Sequence, residues 1–318
     1  MNEFEHLLPD QVVDAAEAYL GTPMSGLAVP LPSYINRVYE LQSLAGERYV
    51  AKFYRPGRWE PAAIAEEHRF VLDCAADEIP VIAPLRSVAG ETLMTTEDGI
   101  TFTVFPKRFG RELEILCDED WRRIGRVTAR IHLAGARREA PHRTILTPEE
   151  STAPYLDHLL EGDYIPASCR GAFLEVAEQL YEQLEGRFDG LELIRIHGDC
   201  HRGNILERPD EGLMIIDFDD MMTGPPVQDL WLLLPEHVEN CRCELDLMLS
   251  GYCELRDFNF DTISLIEPLR AMRMIYFLAW CSTQIDDFKF RTNFPDWGGE
   301  QFWRNEIGDL RRQLALIR

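Results

Sequence analysis

Residues 194–220, with the sequence IRIHGDCHRGNILERPDEGLMIIDFDD, constrain this chain more than any other segment. An apolar approach leads to HGD at 197–199, and Asn204 follows the Asp of this triplet by five residues. A polar turn at 209–212 then precedes the strand-like run LMII, which leads to Asp217. Turn formation would explain the Asp, Gly and Asn residue types, but it explains neither their spacing nor a carboxylate directly after a buried strand. The segment therefore predicts a loop and a strand that project polar side chains into one site.

These side chains have the types and the order that phosphoryl transfer requires. The reaction needs a phosphoryl group and an acceptor hydroxyl held in line, and it needs negative charge neutralised by a metal. Asp199 is the candidate catalytic base, because its carboxylate can receive the proton of the hydroxyl. Asn204 and Asp217 are the candidate Mg²⁺ ligands, since magnesium prefers oxygen donors. Asp217 completes the metal site and is counted with Asp199 as catalytic.

For three neighbouring residues, the sequence is compatible with more than one role. His197 is interpreted as an oriented structural histidine rather than a general base, because Asp199 is better placed for that role. Asp219 can assist a second metal ion. Asp220 is expected to face solvent or to cap a backbone turn.

The motif HGDCHRGN followed by IIDFDD resembles the aminoglycoside phosphotransferase and choline kinase branch of the protein-kinase-like superfamily. Further segments resemble the stress response kinase A family of bacterial serine/threonine protein kinases. They are SYINRVYEL at 33–41, VAKFYRPGRW at 50–59, EEHRF at 66–70, HGDCHRGNIL at 197–206, GPPVQDLWLLL at 224–234 and IEPLRAMRMIYFLAW at 266–280. The resemblance extends over nearly the whole chain and is therefore more specific than any single motif.

The resemblance implies an α+β, protein-kinase-like fold with two lobes. The small ATP-binding lobe is expected at 1–106 and the larger, mainly helical lobe at 107–318. The family also implies ATP as co-substrate, Mg²⁺ as cofactor, and transfer of the γ-phosphate to Ser/Thr hydroxyls of proteins, with autophosphorylation. Sister families phosphorylate small molecules such as homoserine, choline, sugars or aminoglycosides, so a small acceptor is the alternative. A nucleotide sensor without catalysis is disfavoured, because it would not need a complete set of phosphate- and metal-binding residues.

The N-terminal third of the chain has strand and helix patterns of its own. β-Branched and aromatic residues at 38–41 and 49–54 flank an Ala-Gly turn dipeptide and predict a hairpin. A second hairpin is predicted around the Asp-Gly dipeptide at 98–99. Apolar residues recur at helical spacing after Pro61. These patterns predict a small antiparallel sheet with one helix, followed from Asp118 onward by mainly helical structure.

The nucleotide-binding residues are assigned by the resemblance. Lys52 lies in a strand-like run, where a solvated lysine is the ordinary interpretation, and it matches the family's lysine that binds the α- and β-phosphates. Such a lysine needs a glutamate on the following helix, and Glu67 is favoured over Glu66 because it shares a face with Phe70. Ser33 lies at the tip of the loop that stands in place of a glycine-rich loop. It either contacts a phosphate or forms only a local turn.

Other positions have a structural role in the resembled family or stand out by pattern. The connector at 105–108 corresponds to the hinge whose backbone pairs with adenine. Asp229 corresponds to a residue that braces the catalytic loop, and an N-terminal helix cap fits it as well. Arg270 and Arg273, on an apolar helix, either line the acceptor cleft or pair with buried carboxylates, and pairing is the favoured interpretation.

The formal net charge of −23, from 32 basic and 55 acidic residues, argues against nucleic acid and anionic membranes as partners. Eight cysteines without a CxxC pair predict reduced thiols rather than a zinc site. The acidic N-terminus lacks the pattern of a secretion signal. The longest apolar runs, at 230–235 and 274–281, are shorter than the ~20 helical residues that span a bilayer. A cytoplasmic monomer is therefore expected.

Overall fold

The structure of the chain is a computed structural model. It describes residue 4 and residues 7–33, 35–208 and 212–317, with residues 288 and 289 described by their backbone alone. Tyr34 of the segment at 33–41 lies outside the described residues, as do positions 209–211 of the predicted polar turn. The described ranges include every residue that the sequence predicts for the site.

Within the described residues, a five-stranded antiparallel sheet of order β1-β2-β3-β5-β4 forms the N-terminal part of the structure. Its strands are β1 Met24–Leu31, β2 Arg37–Ser43, β3 Arg48–Phe53, β4 Met94–Thr95 and β5 Thr101–Pro106. Strands β2 and β3 form the first predicted hairpin, with Val38 opposite Lys52, and β4 and β5 form the second. Because side chains alternate along β3, Ala51 and Phe53 enter the core on one face while Lys52 faces the other.

Two helices accompany this sheet, whereas the sequence patterns predicted only the second. They are α1 Pro9–Leu20 and α2 Pro61–Ala76. In α1, Val12, Ala16 and Tyr19 recur at helical spacing and are buried. The ring of Tyr19 lies 5.7 Å from that of Phe102 on the sheet. The prediction of a single helix is therefore wrong, because three apolar positions form too weak a pattern without the sheet that they cover.

Helix α2 connects the sheet to the rest of the molecule. It begins at Pro61, as predicted, and its residues Phe70 and Val71 belong to the hydrophobic core of the C-terminal part. The ring of Phe70 meets that of Phe218 edge-on, with centroids 5.5 Å apart. Since Phe218 follows Asp217 directly, α2 fixes the sheet relative to the segment that carries this carboxylate.

The C-terminal part is mainly helical, which confirms the expected α+β class. Its helices are α3 Asp118–Gly135, α4 Ala153–Glu161, α5 Ala167–Leu184, α6 Gln228–Trp231, α7 Arg242–Tyr252, α8 Ile266–Thr283, α9 Phe288–Asn293 and α10 Glu300–Ile317. Two small antiparallel sheets lie among them. They pair β7 Ile194–Ile196 with β10 Met222–Gly224, and β6 Arg111–Glu112 with β8 Ile205–Arg208 and β9 Gly212–Ile215. Among the helices that the structure describes, none is both long and apolar enough to cross a lipid bilayer.

Helices α3 and α7 approach each other closely at two glycines. A Cβ added to Gly125 of α3 would lie 1.9 Å from the carbonyl oxygen of Met248. A Cβ added to Gly251 of α7 would lie 2.1 Å from the carbonyl oxygen of Arg122. Both obstacles are backbone atoms, so no rotation of a side chain can relieve the overlap. This crossing therefore requires glycine at both positions.

We expect Gly125→Ala to destabilise the protein by roughly 1–3 kcal/mol through overpacking, although alanine favours a helix over glycine by about 1 kcal/mol. Gly171→Ala, on the exposed face of α5, is the matched control, because no heavy atom lies within 4 Å of its added Cβ. It should stabilise the protein by about 0.5–1 kcal/mol. Urea unfolding measures the change in the free energy of unfolding for each variant. If both changes have the same sign, the close crossing of α3 and α7 is contradicted.

Candidate active site

A buried carboxylate holds the loop that follows β7. Asp229, in α6, is 1% exposed. It accepts hydrogen bonds from the backbone N–H of His197 at 2.7 Å and from that of Gly198 at 2.8 Å. Nε2 of His132 on α3 lies 3.0 Å from the same carboxylate. These contacts confirm the predicted role of Asp229 as a brace of the loop.

Gly198 lets the loop pass directly against the segment at 218–220. Its φ of 83° is in the left-handed region, and an added Cβ would lie 2.2 Å from the carbonyl oxygen of Asp220. The side-chain amide of Gln228 donates to the carbonyl oxygen of Gly198 at 3.1 Å. The loop at 197–204 is thus held both by α6 and by the segment after β9.

His197 has the contacts of an oriented structural residue. Its Nε2 lies 2.9 Å from the carbonyl oxygen of Ile216, and a carbonyl oxygen can only accept, so Nε2 carries the hydrogen. The backbone N–H of Asp199 donates to Nδ1 at 3.3 Å. With both ring nitrogens engaged, the imidazole ties the loop to the end of β9.

Asn204 and Asp217 come from adjacent segments. The backbone N–H of Ile216 donates to the carbonyl oxygen of Asn204 at 3.0 Å, which places the following Asp217 beside the loop. Nδ2 of Asn204 donates to the backbone oxygen of Asp199 at 2.9 Å. Because Nδ2 makes this bond, the amide oxygen Oδ1 remains as an acceptor.

Asp217 adopts a backbone conformation that non-glycine residues rarely take. Its φ is 60° and its ψ is 70°, in the left-handed region, which costs about 1–2 kcal/mol for a residue with a Cβ. Its side chain is 56% exposed, and Oδ1 lies 3.2 Å from Nζ of Lys52. Strain of this kind is concentrated at functional sites, where the surrounding structure holds it in place.

The oxygen atoms of Asn204 and Asp217 fit a divalent cation. An amide oxygen and a carboxylate are both hard donors, the kind that Mg²⁺ takes. Among the described residues, no group of three or more His, Cys, Asp or Glu side chains is arranged to hold a metal ion. Mg²⁺ sites that bind nucleotides commonly combine one or two protein ligands of this kind with phosphate oxygens and water.

Lys52 lies at the centre of a buried cluster of charges. Its Nζ is 2.9 Å from a carboxylate oxygen of Asp219, 3.2 Å from one of Asp217 and 3.8 Å from one of Glu67. Burial alone would lower the pKa of Lys52, but these carboxylates more than offset it and raise that pKa well above its ordinary value. The lysine therefore remains charged.

The helix glutamate next to Lys52 is Glu67. Glu66 instead accepts a hydrogen bond from the backbone N–H of His142 at 3.0 Å. Oε2 of Glu67 is buried and has no hydrogen-bond partner among the described residues. Burial raises the pKa of Glu67 to about 7, and Lys52 offsets this only in part. Lys52 lowers the pKa of Glu67 only in part, because the carboxylates of Asp219 and Asp217 lie nearer to its ammonium group.

Asp219 is held by several donors at once. It is 5% exposed, accepts a hydrogen bond from Nδ2 of Asn36 at 3.2 Å, and lies 3.3 Å from Nη1 of Arg58. Burial would raise the pKa of Asp219, but Lys52 and Arg58 hold it well below its usual range. The carboxylate is thus ionised and paired with protein cations, and its assistance to a second metal ion stays a prediction.

Asp220 does not have the surroundings expected from the sequence. Its carboxylate pairs with the guanidinium of Arg58, and its side chain is only 26% exposed. Within the described residues it caps no backbone turn. The expectation of a solvated or capping residue is wrong, because the loop at 55–59 folds over Asp220 and supplies the arginine.

Asn36 and Arg58 are site residues that the sequence analysis did not assign. Asn36 is 5% exposed, and its Oδ1 accepts from the backbone N–H of Arg55 at 3.1 Å while its Nδ2 reaches Asp219. Arg58 pairs with both Asp219 and Asp220. Both residues lie within the segments that resemble the family, which is the signal that could have identified them.

Ser33 is half-buried in the loop between β1 and β2. Within the ranges that the structure describes, no hydrogen bond or ion pair joins it to Lys52, Asp199 or Asp217. Asn36, from the same loop, makes the contact with the charged cluster instead. A contact between Ser33 and a phosphate stays a prediction.

The connector at 105–108 is attached to the sheet. The backbone N–H of Lys107 donates to the carbonyl oxygen of Arg48 at 3.0 Å, and its Nζ lies 3.2 Å from Glu40. Pairing of the connector backbone with adenine stays a prediction.

A cavity of about 640 Å³ lies beside the loop at 197–204. Aromatic and charged side chains form much of its wall. They include Trp59, Tyr155, Tyr276, Trp280, Arg58 and Asp220. This volume falls within the roughly 300–1,000 Å³ of small-molecule sites.

Asp199 is connected to this cavity by Arg273, which also lines it. Nη2 of Arg273 donates to Oδ1 of Asp199 at 2.6 Å, and Nε2 of His201 lies 3.4 Å from Oδ2. Burial would raise the pKa of Asp199, but His201 and Arg273 lower it below its ordinary value. Arg273 therefore pairs with a carboxylate, as the favoured interpretation predicts, and Arg270 pairs with Glu267 at 3.3 Å. That the cavity beside Arg273 is the acceptor cleft stays a prediction.

Comparison with known proteins identifies the family. Residues 28–261 match the model of the phosphotransferase enzyme family, APH. The chain belongs to this family. As a member of the APH family it is a phosphotransferase, and the family match covers most of the five-stranded sheet and the whole loop at 197–204.

Curated relatives within the APH family extend over nearly the whole chain. The chain is 37% identical over 315 residues to stress response kinase A of Escherichia coli strain K12. The aligned residues cover 99% of this chain and 94% of the relative. It is 38% identical over 319 residues to the serine/threonine protein kinase RdoA of Salmonella typhimurium strain LT2, with the same coverage. The predicted membership of the stress response kinase A group is confirmed.

Solved structures of low sequence identity share the fold. The amicoumacin kinase hAmiN, in complex with AMP-PNP, Ca²⁺ and Ami, has a TM-score of 0.75 at 18% identity and covers 96% of this chain and 94% of its own. The microcompartment-associated aminopropanol kinase has a TM-score of 0.71 at 18% identity, with coverage of 96% and 97%. Spectinomycin phosphotransferase APH(9)-Ia, in complex with ADP and spectinomycin, has a TM-score of 0.62 at 15% identity, with 96% of each chain covered. At these identities the likeness concerns the fold, and it confirms the predicted kinase-like class.

The raised pKa of Glu67 predicts a pH dependence of stability. The folded carboxyl titrates at about 7 and the ordinary one at 4.5, so the folded state binds more protons between these values. The contribution of this carboxyl to the free energy of unfolding is fully present below pH 4.5 and is lost as the pH rises to about 7. The loss amounts to at most roughly 1.4 kcal/mol per pH unit. Glu67→Gln should remove this decline, as measured by urea unfolding across the window. If the free energy of unfolding falls with pH equally in the variant and in the parent, the decline does not come from Glu67 and the prediction is wrong.

Proposed function

We propose that this phosphotransferase uses ATP to phosphorylate serine and threonine hydroxyls of proteins, itself included. The observation that carries the proposal is the meeting of the catalytic loop at 197–204 with Asp217 and Lys52, which come from three separate segments. The printed names of the curated relatives, a stress response kinase and a serine/threonine protein kinase, support this acceptor class. We propose a cytoplasmic enzyme of a stress response, and the monomeric state remains a prediction.

The N-terminal lobe at 1–106 would bind the nucleotide against the lobe at 107–318. Lys52 would bind the α- and β-phosphates, with Glu67 holding its ammonium group from helix α2. Ser33 would cover the phosphates, and the connector at 105–108 would pair with adenine. The nucleotides named with the amicoumacin kinase and the spectinomycin phosphotransferase support an ATP-type co-substrate.

Asn204 and Asp217 would hold Mg²⁺ through an amide oxygen and a carboxylate. A bound Mg²⁺ ion neutralises charge on the β- and γ-phosphate oxygens. In the present structure Lys52 lies against Asp217 at 3.2 Å. For Asp217 to serve as a ligand, the lysine has to turn from this carboxylate to the phosphates. Its alternative partners, Asp219 and Glu67, keep it charged throughout.

Asp199 would receive the acceptor hydroxyl and its proton. Its lowered pKa makes the carboxylate a weak base, so its main contribution is to accept the hydrogen bond and aim the hydroxyl oxygen at the γ-phosphate. Orientation by a weakly basic carboxylate is sufficient for a loose transition state, because the hydroxyl then loses its proton late. Because the loop is already fixed, no further free energy is needed to orient the hydroxyl when the reaction occurs.

A small-molecule acceptor is the second candidate, and the cavity of about 640 Å³ favours it. A walled cavity suits a compact hydroxyl compound better than an extended peptide, which needs an open groove. The structural neighbours include kinases named for small molecules, among them amicoumacin and aminopropanol. The ATP half of the site is the same for both candidates.

Replacement of the proposed base tests the mechanism directly. We expect Asp199→Asn to lower turnover by about 10²- to 10⁴-fold, because an amide is a poorer acceptor for the hydrogen bond that aims the hydroxyl and cannot take up the proton that the hydroxyl loses. Affinity for ATP in the presence of Mg²⁺, measured by calorimetry, should stay near the parent value, since Asp199 does not contact the nucleotide in this mechanism. Asp189→Asn, at an exposed carboxylate outside the loop, is the control. An Asp199→Asn enzyme with parental turnover would refute the assignment.

The acceptor class is decided by where labelled phosphate goes. The protein is incubated with γ-labelled ATP and Mg²⁺, with dephosphorylated casein in one arm and a panel of amino alcohols, sugars and aminoglycosides in another. Label on casein or on the enzyme itself supports the protein kinase. Label confined to a small compound supports the second candidate and overturns the first.

A further inference from the structure

The carboxylate of Asp199 is held from two directions. Nε2 of His201 lies 3.4 Å from Oδ2, and Nη2 of Arg273 donates to Oδ1 at 2.6 Å. Nδ1 of His201 accepts from the backbone N–H of Gly203 at 3.0 Å, so the hydrogen of its ring is on Nε2 and points to the carboxylate. His201 belongs to the same loop as Asp199, whereas Arg273 lies 74 residues further along the chain. The orientation of the carboxylate therefore depends on both the loop and α8.

Arg273 is itself carried by a firmly packed helix. Its neighbours on α8, Leu269, Met272 and Ile275, are buried in the hydrophobic cores. The guanidinium side chain remains 35% exposed and lines the cavity of about 640 Å³. Within the described residues, Asp199 is the acid that it pairs with. Arg273 thus joins the wall of the cavity to the proposed base.

Arg270, three residues earlier on α8, shows what a purely structural arginine does in this helix. Its Nε lies 3.3 Å from Glu267, and its guanidinium covers the ring of Trp231 at 4.8 Å. It also donates to the backbone oxygen of Glu236 at 2.9 Å. These contacts fasten α8 to the segment after α6 and do not involve the loop at 197–204.

We propose that Arg273 is a positioning residue for phosphoryl transfer, which orients the Asp199 carboxylate toward a hydroxyl delivered from the cavity. The inference rests on the proposed function of Asp199 as base. A hydroxyl that enters from the cavity meets the side of the carboxylate where Arg273 donates. The planar guanidinium fixes the direction of Oδ1 and leaves its second lone pair for the acceptor hydroxyl. A partly exposed ion pair of this kind contributes little to stability, so its value here is orientation.

The test compares Arg273→Gln, Arg273→Lys and the control Arg270→Gln in the full-length protein. Transfer of label from ATP to casein and hydrolysis of ATP by water are measured in the same samples, with kcat and KM for ATP determined separately. We expect Arg273→Gln to lower kcat about 10²-fold through misorientation of the base, with KM for ATP within about twofold of the parent. Arg273→Lys should recover part of kcat, because its ammonium reaches Oδ1 without the planar fork. Arg270→Gln should retain the parental kcat.

The outcomes separate this inference from the proposed function. If Arg273→Gln keeps the parental kcat while Asp199→Asn is inactive, the positioning role is wrong and the base assignment stands. If Arg273→Gln and Arg270→Gln lose kcat and melting temperature to the same extent, Arg273 is only a structural tie and the inference fails. If the parent transfers label neither to casein, nor to itself, nor to water, the proposed function fails and the inference fails with it.

Discussion

The double hydrogen bond from the backbone of 197 and 198 to the carboxylate of Asp229 is the contact on which the site depends. A buried carboxylate is stable only when its oxygens are fully hydrogen-bonded, and here most of its donors are main-chain groups of the loop. The carboxylate of Asp229 and the loop conformation therefore stabilise each other. Because the loop is held this way, Asp199 and Asn204 leave it in fixed directions, and Gly198 can lie directly against the segment that follows Asp217.

Around this loop, the protein concentrates opposite charges in a small buried volume. Lys52 and Arg58 lie among carboxylates whose pKa values diverge, low for Asp219 and raised for Glu67, because each sees a different share of the cations. Local cations of this kind would allow a chain of net charge −23 to bind the proposed nucleotide. The same cluster links the loop between β1 and β2 to the segment after β9, since Asn36 donates to Asp219 across 183 residues.

The proposed nucleotide side and the proposed acceptor side of the site are both built from segments that lie far apart in the chain. On the proposed nucleotide side, Lys52 comes from β3, Glu67 from α2, and Asp217 from the segment after β9. The proposed acceptor side is the cavity lined by residues of α4, α8 and the loop at 55–59, elements that are distant in the chain. Because function follows from the side chains of a site rather than from the fold, the residues that line this cavity would set the acceptor.

The sequence by itself determined the features that depend on local spacing. The two hairpins, helix α2, the step from Asp199 to Asn204 and the inward position of Glu67 follow from strand and helix periodicity and from motifs in continuous segments. Only the tertiary structure decided that Arg58 covers Asp220 and that α1 completes the sheet. Only the tertiary structure, likewise, placed Arg273 against the proposed base. Such contacts join segments far apart in the chain, so they are set by how packed elements meet, and no local periodicity encodes them.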